Sequence, residues 1–325
     1  DEQITFLEGR LLNHGEESYY DLPARSGYAA DLYTHCVKAI ENGLKFGEHG
    51  LPLMGSGDWN DGMDKVGEEG KGESVWLAFF QYKILRGFSE IAAARNDTAF
   101  KTHCLQEAEN LKKNIEAHAW DGNWYRRAYF DDGTPLGSVQ NDECRIDSVA
   151  QSWGVISNAA DNERVITAMN AAYRQLVNKE AGIIQLLDPP FDKSTLNPGY
   201  IKGYVPGVRE NGGQYTHAAI WFVMALMELK QNEKGWELLQ MINPLNRGGD
   251  EQSVERYKVE PYVVAADVYA QVSHLGRGGW TWYTGSAGWM YQLIIEYFLG
   301  MQKQGNKLYF NPSIPAEWNE FSITY

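Results

Sequence analysis

An acidic, glycine-rich loop at 55–74, GSGDWNDGMDKVGEEGKGES, is the first segment whose residue types suit chemistry. Glycine reaches backbone angles barred to other residues and lets the chain approach a ligand closely. A carboxyl group lodged against the indole of Trp59 is partly desolvated, and desolvation favours the protonated form of an acid. Asp58 or Asp61 is therefore a candidate general acid that protonates a leaving glycosidic oxygen. An Asx-rich turn is the structural alternative.

A second motif, RENGGQYTH at 209–217, places a glycine pair just before a predicted helix. Glu210 and Asn211 precede this helix, and His217 lies inside it. A histidine on a helix is commonly a core residue with satisfied hydrogen bonds. This one follows a glycine-rich entry at the positive end of a helix, and that setting favours an anion.

A third motif, GRGGWTWYTGSAGW at 276–289, again leads into a predicted helix, which begins near Ser286. The hydroxyl of Thr284 and the backbone N–H of Gly285 stand where a phosphate oxygen could be bound. The segment lacks the GKS/T of a P-loop, so it gives no support for nucleotide binding. A Ser/Thr helix cap is the alternative.

Aromatic residues are frequent in these loops, and Phe, Trp and Tyr make up 13% of the chain. Aromatic rings offer flat apolar faces that suit the C–H faces of a sugar, while polar neighbours can hydrogen-bond its hydroxyls. The sequence therefore favours a carbohydrate ligand, with ordinary core packing as the alternative for each ring. The loop aromatics are Trp59, Tyr200, Tyr204, Trp280, Trp282 and Tyr283.

Two reactions fit the three motifs. An inverting hydrolase needs an acid and a base, with carboxyl groups about 6.5–9.5 Å apart to admit a water. A phosphorylase needs only the acid, because phosphate is already the nucleophile and requires a donor-rich pocket on the opposite face of the sugar. His217, Thr284 and Gly285 can supply that pocket.

Composition excludes several classes of protein. Lys+Arg 29 against Asp+Glu 43 gives a formal charge of -14, which repels nucleic acid and anionic membranes. The three cysteines lie far apart without a CxxC pair, so they support neither a disulfide framework nor a metal site. No signal peptide or membrane-spanning run is evident, and we expect a cytoplasmic chain without membrane contact.

Helices must position these loops. Apolar residues such as Trp76, Phe80 and Ile84 recur three or four positions apart, which predicts a buried helix face. The long Gly- and Asp-rich loops between helices are uncommon unless functional. The sequence thus predicts a mainly α helical toroid over 1–303 and strands that begin a β-rich domain over 304–325. Further helices are predicted at 27–46, 98–118, 146–159, 161–177, 214–231, 233–242, 261–271 and 286–300.

Together, GDWND, ENGGQYTH and WYTGSAGW resemble glycoside hydrolase family 94, the inverting phosphorolytic enzymes that include cellobiose and chitobiose phosphorylases. Its β-1,2-glucan branch comprises β-1,2-oligoglucan phosphorylases and the C-terminal region of cyclic β-1,2-glucan synthases. The segments that look closest to this branch are YDLPARSGYAADLYTHC, VGEEGKGES, GYVPGVRENGGQYTHAAIW and VERYKVEPYVVAADVY.

The resemblance implies a catalytic (α/α)6 barrel and a role for several residues. In it, Asp61 is the general acid and Asp58 is structural. Trp59 and Glu210 match positions that line the sugar subsite. The positions that match the phosphate pocket are His217, Thr284 and Gly285. The other residues that we expect to bind substrate are Asn60, Arg209, Gln214, Trp282 and Tyr283.

The resemblance also implies segments that lie outside residues 1–325. Family members carry an N-terminal β-sandwich, a helical linker and the first barrel helices, and their C-terminal jelly-roll-like part extends beyond Tyr325. The chain also begins without Met. We therefore expect a piece of a longer protein, with a barrel that is incomplete at its N-terminal side and that other segments or chains complete. A homodimer is left open.

The expected function is inverting phosphorolysis. Inorganic phosphate attacks the anomeric carbon of a β-glucoside, with β-1,2-linked gluco-oligosaccharides as the expected class, while Asp61 protonates the leaving oxygen. The products are α-glucose 1-phosphate and a shortened glucan, and phosphate is the co-substrate without any further cofactor. One alternative is an inverting hydrolase whose base is Glu210 or an acid from 64–73. The other is a non-catalytic glucan-binding or chain-length-controlling region of a larger, membrane-bound synthase.

Overall fold

A computed structural model of the chain describes residues 2–13, 16 and 19–325. Helix dominates this part of the chain, which confirms a mainly α fold. None of the helices within it is both long enough and apolar enough to cross a membrane. The described helices are α1 (Leu32–Gly43), α2 (Val75–Ala94), α3 (Thr98–Asn114), α4 (Ser148–Ile156), α5 (Asn162–Leu176), α6 (Thr216–Glu228), α7 (Asn232–Ile242), α8 (Glu251–Tyr257) and α9 (Thr284–Gln292).

The strands are short, and most have two residues. All pair antiparallel, as β1–β2, β3–β4–β5, β6–β9, β7–β8, β10–β11 and β12–β13. Their bounds are β1 (Ile4–Glu8), β2 (Ala24–Ala30), β3 (Glu73–Ser74), β4 (Ala128–Tyr129), β5 (Pro135–Leu136), β6 (Ile146–Asp147), β7 (Val177–Asn178), β8 (Ile183–Ile184), β9 (Leu187–Asp188), β10 (Gln214–Tyr215), β11 (Asp267–Val268), β12 (Met301–Gln304) and β13 (Lys307–Phe310).

Helices α2, α4, α6 and α9 form the layer that carries the three motifs. Helix α4 packs against α2 and α6, and α6 also packs against α9. Helices α3, α5 and α7 pack in turn against α2, α4 and α6. Helix α6 is buried over nearly its whole length, as expected for a helix that is apolar on all sides. Each motif lies in the loop that leads into one of these helices, so the layer fixes the loops.

The same layer contains a sequence repeat. The first residues of α4 and α6 are 68 positions apart, and so are those of α6 and α9. In each of the three helices a tryptophan stands five positions after that first residue. These residues are Trp153, Trp221 and Trp289, and the rings of Trp153 and Trp289 both contact Trp221. The three helices are therefore versions of one structural unit.

The helix predicted at 261–271 is wrong. These residues form turns and the strand β11, where Asp267 pairs with Tyr215 of β10. Periodicity alone cannot separate a short apolar run in a strand from one in a helix. Helix α8 occupies 251–257 instead, within a predicted loop, where the side chain of Asp250 accepts a hydrogen bond from the backbone of Ser253.

The C-terminal part contains the hairpin of β12 and β13. Of the strands predicted over 304–325, β13 is present, but the prediction is wrong for 311–325, to which the structure assigns no strand. The hairpin begins at Met301, inside the predicted helical domain. The division of the chain at 303 stays a prediction.

Candidate active site

Asp58 is the buried anchor of the first motif. Two nitrogens of Arg127 donate to its two carboxylate oxygens, each over 2.6 Å, and both side chains are fully buried. The Ser74 hydroxyl donates at 2.6 Å and the backbone N–H of Asn60 at 3.0 Å. Four donors thus occupy this carboxylate, so it offers no free oxygen to a substrate, and Asp61 remains as the candidate acid.

Arg127 also faces a second buried carboxylate. Its Nε lies 3.6 Å from Oδ2 of Asp147, whose Oδ1 caps α4 by accepting the backbone N–H of Val149. Burial raises the pKa of Asp147 to about 6, although the charge of Arg127 opposes the rise. Burial by itself would lower the pKa of Arg127, but Asp58 raises it overall. Arg127 therefore fastens the first motif to the start of α4.

Asp61 begins a single 3₁₀ turn after the buried Asn60. The Asn60 side chain accepts the backbone N–H of Gly62 at 3.1 Å and so caps this turn. Asp61 is exposed, unlike the partly buried acid that the sequence predicted. The pKa of the Tyr200 hydroxyl is raised first by burial and then by Asp61, so the two side chains lie close together.

Backbone hydrogen bonds and a glycine turn fix the position of Tyr200. Its backbone N–H donates to Oδ1 of Asp64 at 2.9 Å, and the N–H of Lys65 donates to the carbonyl of Pro198 at 3.1 Å. Gly199 has a φ of 121°, and a Cβ there would lie 2.0 Å from the Asp64 carboxylate. Only glycine fits this turn. The turn thus holds Tyr200 beside the candidate acid.

In the second motif, Arg209 and Glu210 form an ion pair, with 3.3 Å between Arg209 Nε and Glu210 Oε2. The guanidinium of Arg209 lies 5.2 Å from the ring centre of Tyr204 and 5.7 Å from that of Trp280, distances typical of cation–π contacts. Burial opposes the charge of Arg209, but Glu210 raises its pKa overall. The pair joins the second motif to the aromatic loop of the third.

Gln214 is part of the scaffold in this structure. Its side-chain oxygen accepts the backbone N–H of Ile184 at 3.1 Å, and its Nε2 donates to the Thr216 hydroxyl at 3.4 Å. The residue is 1% exposed. A sugar could reach this amide only if these bonds were exchanged, so the expected contact of Gln214 with substrate stays a prediction.

Trp59 joins the first motif to α6. Its ring centre lies 5.1–5.5 Å from those of Tyr215, His217 and Trp221. Nε2 of His217 is buried without a hydrogen-bond partner, and burial lowers the pKa of this histidine to about 4. His217 is therefore neutral near pH 7, and one ring nitrogen can donate to a ligand while the other accepts.

The third motif meets His217 at the start of α9. A Cβ on Gly285 would lie 3.8 Å from Nδ1 of His217, so the ring sits beside the first turn of this helix. No side chain caps the helix, and Thr284 and Gly285 are exposed. Uncapped N–H groups at the positive helix end, next to an imidazole, suit an anion. The three predicted phosphate-binding residues thus lie together.

Two further predicted sugar contacts lie in the same loop and face solvent. Trp282 is 68% exposed, and its indole N–H donates to Glu260 at 3.2 Å. Tyr283 packs edge-on against Trp280, with 6.0 Å between ring centres. Burial raises the pKa of the nearby Tyr204 hydroxyl. Tyr283 is thus linked through Trp280 to Arg209, while Trp282 lies beside Glu260.

Acid should destabilise the folded chain through His217. Its pKa is about 4 in the folded chain against an ordinary value of 6.5, so the unfolded state binds more protons between these values. The free energy of unfolding therefore falls as the pH drops from about 6.5 to about 4, by up to roughly 3 kcal/mol. Denaturant unfolding at neutral pH and at about pH 5 should show less acid sensitivity in His217→Gln than in the wild type.

The matched control for this measurement is His274→Gln, which removes an exposed imidazole. This variant should keep the acid sensitivity of the wild type. Equal acid sensitivity in His217→Gln and the wild type would show that burial of His217 does not set the stability at low pH.

Comparison with protein families finds one family model that matches most of the chain. The family model described as the catalytic domain of the glycosyl hydrolase 94 superfamily matches residues 4–300. A cyclic beta-(1,2)-glucan synthase of Rhizobium meliloti is 47% identical over 322 residues, which cover 99% of this chain and 11% of the synthase. The solabiose phosphorylase of Paenibacillus borealis is 30% identical, with 91% of this chain and 38% of that enzyme covered.

Two more relatives extend the comparison. The N,N'-diacetylchitobiose phosphorylase of Vibrio furnissii is 28% identical, with 95% of this chain and 38% of that enzyme covered. Among solved structures, the GH78 family rhamnosidase of Bacillus sp. GL1 gives a TM-score of 0.50 at 15% identity, covering 84% of this chain and 24% of that one. This last likeness concerns the fold alone. The chain thus spans about a tenth of the synthase and under two-fifths of the phosphorylases.

Proposed function

This chain belongs to the glycosyl hydrolase 94 superfamily, and from that premise we propose that it carries the site of an inverting glycoside phosphorylase. The observation that carries the proposal is the position of His217. Its ring lies beside Gly285 at the uncapped start of α9 and beside Trp59 of the loop that holds Asp61. The proposed anion site therefore lies beside the loop that carries the candidate acid.

In the proposed reaction, phosphate lies between His217 and the first turn of α9, with donors from Thr284 and Gly285. A phosphate oxygen forms a bond to the anomeric carbon as the glycosidic carbon–oxygen bond breaks on the opposite face. The proton of Asp61 passes to the leaving oxygen, which becomes a hydroxyl of the shortened glucan. The Tyr200 hydroxyl stabilises the carboxylate that remains. No cofactor other than phosphate is required.

We propose β-1,2-linked gluco-oligosaccharides as the substrate class, since a synthase named for this linkage is 47% identical to the chain. Trp59, Asn60 and Glu210 are the proposed sugar contacts next to the acid. Asn60 supports this assignment, because its side-chain Nδ2 is buried without a partner, and a buried donor of this kind favours binding a hydroxyl. Arg209, Gln214, Trp282 and Tyr283 are proposed as outer contacts.

The proposed architecture is an (α/α)6 barrel, with α2, α4, α6 and α9 as inner helices and α3, α5 and α7 as outer ones. The N-terminal side of this barrel would be completed by other segments of a longer parent chain, and a jelly-roll-like segment would follow β13. The exposure of Asp61 and of the start of α9 supports such a cover, because acids of this kind work in sites that exclude water. A cytoplasmic location is part of this proposal.

A second candidate is a non-catalytic region of a cyclic glucan synthase that binds glucan or controls its length. The 47% identity to the synthase favours this candidate. A hydrolase is less well supported, because two of the acids at 64–73, Asp64 and Glu73, already have structural partners. Asp64 holds Tyr200, and Glu73 accepts the backbone N–H of Leu51 and contacts the His49 ring.

The test is to incubate the full-length protein with β-1,2-gluco-oligosaccharides, with and without inorganic phosphate, and to measure glucose 1-phosphate and free glucose. Glucose 1-phosphate that forms only with phosphate is the expected result. Free glucose without phosphate would instead identify a hydrolase. Saturable oligosaccharide binding without either product would identify the non-catalytic region of a synthase.

A further inference from the structure

Arg247 is a largely buried cation without a carboxylate partner in the described part of the chain. Its Nε is buried and makes no hydrogen bond. One terminal nitrogen donates to the backbone carbonyl of Gly182, and the guanidinium lies 5.4 Å from the ring centre of Tyr257. Burial lowers the pKa of Arg247, and the neighbouring charge of Arg256 lowers it further.

Arg247 lines a cavity of about 210 Å³ that lies between α8, the end of α7 and the loops at 179–182 and 276. Arg256 forms another part of the wall. A Cβ on Gly276 would lie 2.9 Å from Cδ of Arg256, so glycine at this position leaves room for the arginine. The cavity has several times the volume of about 30 Å³ that one water occupies.

The charges on the wall are predominantly positive. Lys179 is already paired with Glu237, over 2.7 Å. Glu180 also lines the cavity, but no ion pair joins it to either arginine in the described residues. Two guanidinium groups thus line one cavity, and in the described residues neither forms an ion pair with a carboxylate, although the chain has a formal charge of -14.

A buried charge is costly unless it is paired and hydrogen-bonded. Arg247 has no carboxylate partner in the described residues, although the chain is rich in carboxylates. The N–H donors of this arginine are therefore available to another anion. Arginine matches planar or tetrahedral oxyanions with several N–H donors at once. An oxyanion in the cavity would pair with the guanidinium charge of Arg247 and reduce the repulsion from Arg256.

We propose that this cavity binds a phosphoryl group between Arg247 and Arg256, either as inorganic phosphate or as a phosphomonoester of a sugar. The assignment is independent of the proposed phosphorolysis, because neither arginine belongs to the motifs that carry Asp61 and His217. The cavity is a second anion site, and Gly276 connects its wall to the loop of the third motif.

The test measures the reaction of Arg256 with phenylglyoxal by peptide mass spectrometry, which works for a chain of any length. Inorganic phosphate at ten times its dissociation constant should slow this modification about tenfold by mass action. Glucose 6-phosphate forms the second arm, and the tighter of the two ligands identifies the source of the phosphoryl group. Sodium chloride at matched ionic strength should not protect, and neither ligand should protect the exposed Arg174.

Arg247→Gln is the decisive variant, with Arg174→Gln as the control for loss of one positive charge. Protection of Arg256 should disappear in Arg247→Gln and persist in Arg174→Gln. The proposal is overturned if neither ligand protects Arg256 in the wild type, or if protection survives in Arg247→Gln. The wild-type result decides the case even where Arg247→Gln folds poorly, and phosphorolysis need not occur.

Discussion

Phosphorolysis should fall by a factor of about 10²–10⁴ when Asp61 is replaced by asparagine, because the amide cannot deliver a proton to the leaving oxygen. Asp61 is exposed, so the nearly isosteric change should leave the fold intact. The measurement is the initial rate of glucose 1-phosphate formation by the full-length protein, with circular dichroism to verify the fold.

Glu69→Gln is the matched control, because it removes an exposed carboxylate from the same loop and should retain wild-type activity. An aryl β-glucoside with a good leaving group adds a second check. Such a substrate needs little proton donation, so Asp61→Asn should lose much less activity on it if Asp61 is the acid. Near-normal phosphorolysis of the oligosaccharide by Asp61→Asn would remove Asp61 from this role.

The three motifs could be found from the sequence because each is a local pattern. Glycines next to acids, aromatics or a helix start are typical of loops that approach a ligand, and in the structure these loops lead into α2, α6 and α9. His217 and Gly285 are neighbours in space although they are far apart in the chain. Helix-start positions in a layered fold bring such loops together, so the residue types were sufficient.

Other parts of the site cannot be recognised from a local sequence pattern. Arg127 lies 69 positions from Asp58 in the chain. The residues around Arg127 form no pattern that would predict a buried charge. Tyr200 lies close to Asp61 because its backbone is held by Asp64, 136 positions away in the chain. Gln214 looks like a ligand contact in its motif, yet the structure uses it to hold Ile184. Partners of this kind depend on tertiary packing, which single-sequence periodicity does not contain.

The repeat in α4, α6 and α9 has a long period, and a search for short sequence periods does not detect it. A spacing of 68 residues separates the first residues of α4, α6 and α9, so the second and third motifs lead into equivalent helices. The first motif leads into α2, which does not follow this spacing. In the segment before α9, residues 261–271 form turns and a strand instead of the predicted helix.

Arg127→Met should destabilise the folded chain by about 3–5 kcal/mol, because it leaves the buried carboxylates of Asp58 and Asp147 without their cation. Methionine fills much of the same volume, so the loss reports on charge rather than on a cavity. The loss should be smaller at acid pH. Burial already raises the pKa of Asp147 to about 6, and protonation below that value removes its uncompensated charge.

Denaturant unfolding at neutral pH measures this effect, with Arg145→Met as a control that removes an exposed arginine. Asp58→Asn and Asp147→Asn introduced together with Arg127→Met should recover part of the loss, because removing a whole buried ion network is often nearly neutral. If Arg127→Met and Arg145→Met had equal stability, Arg127 would not be the anchor of the first motif. The triple variant combines Arg127→Met with Asp58→Asn and Asp147→Asn. If Arg127→Met loses phosphorolysis, and the triple variant folds but is also inactive, then Arg127 also holds the loop of Asp61 in its working position.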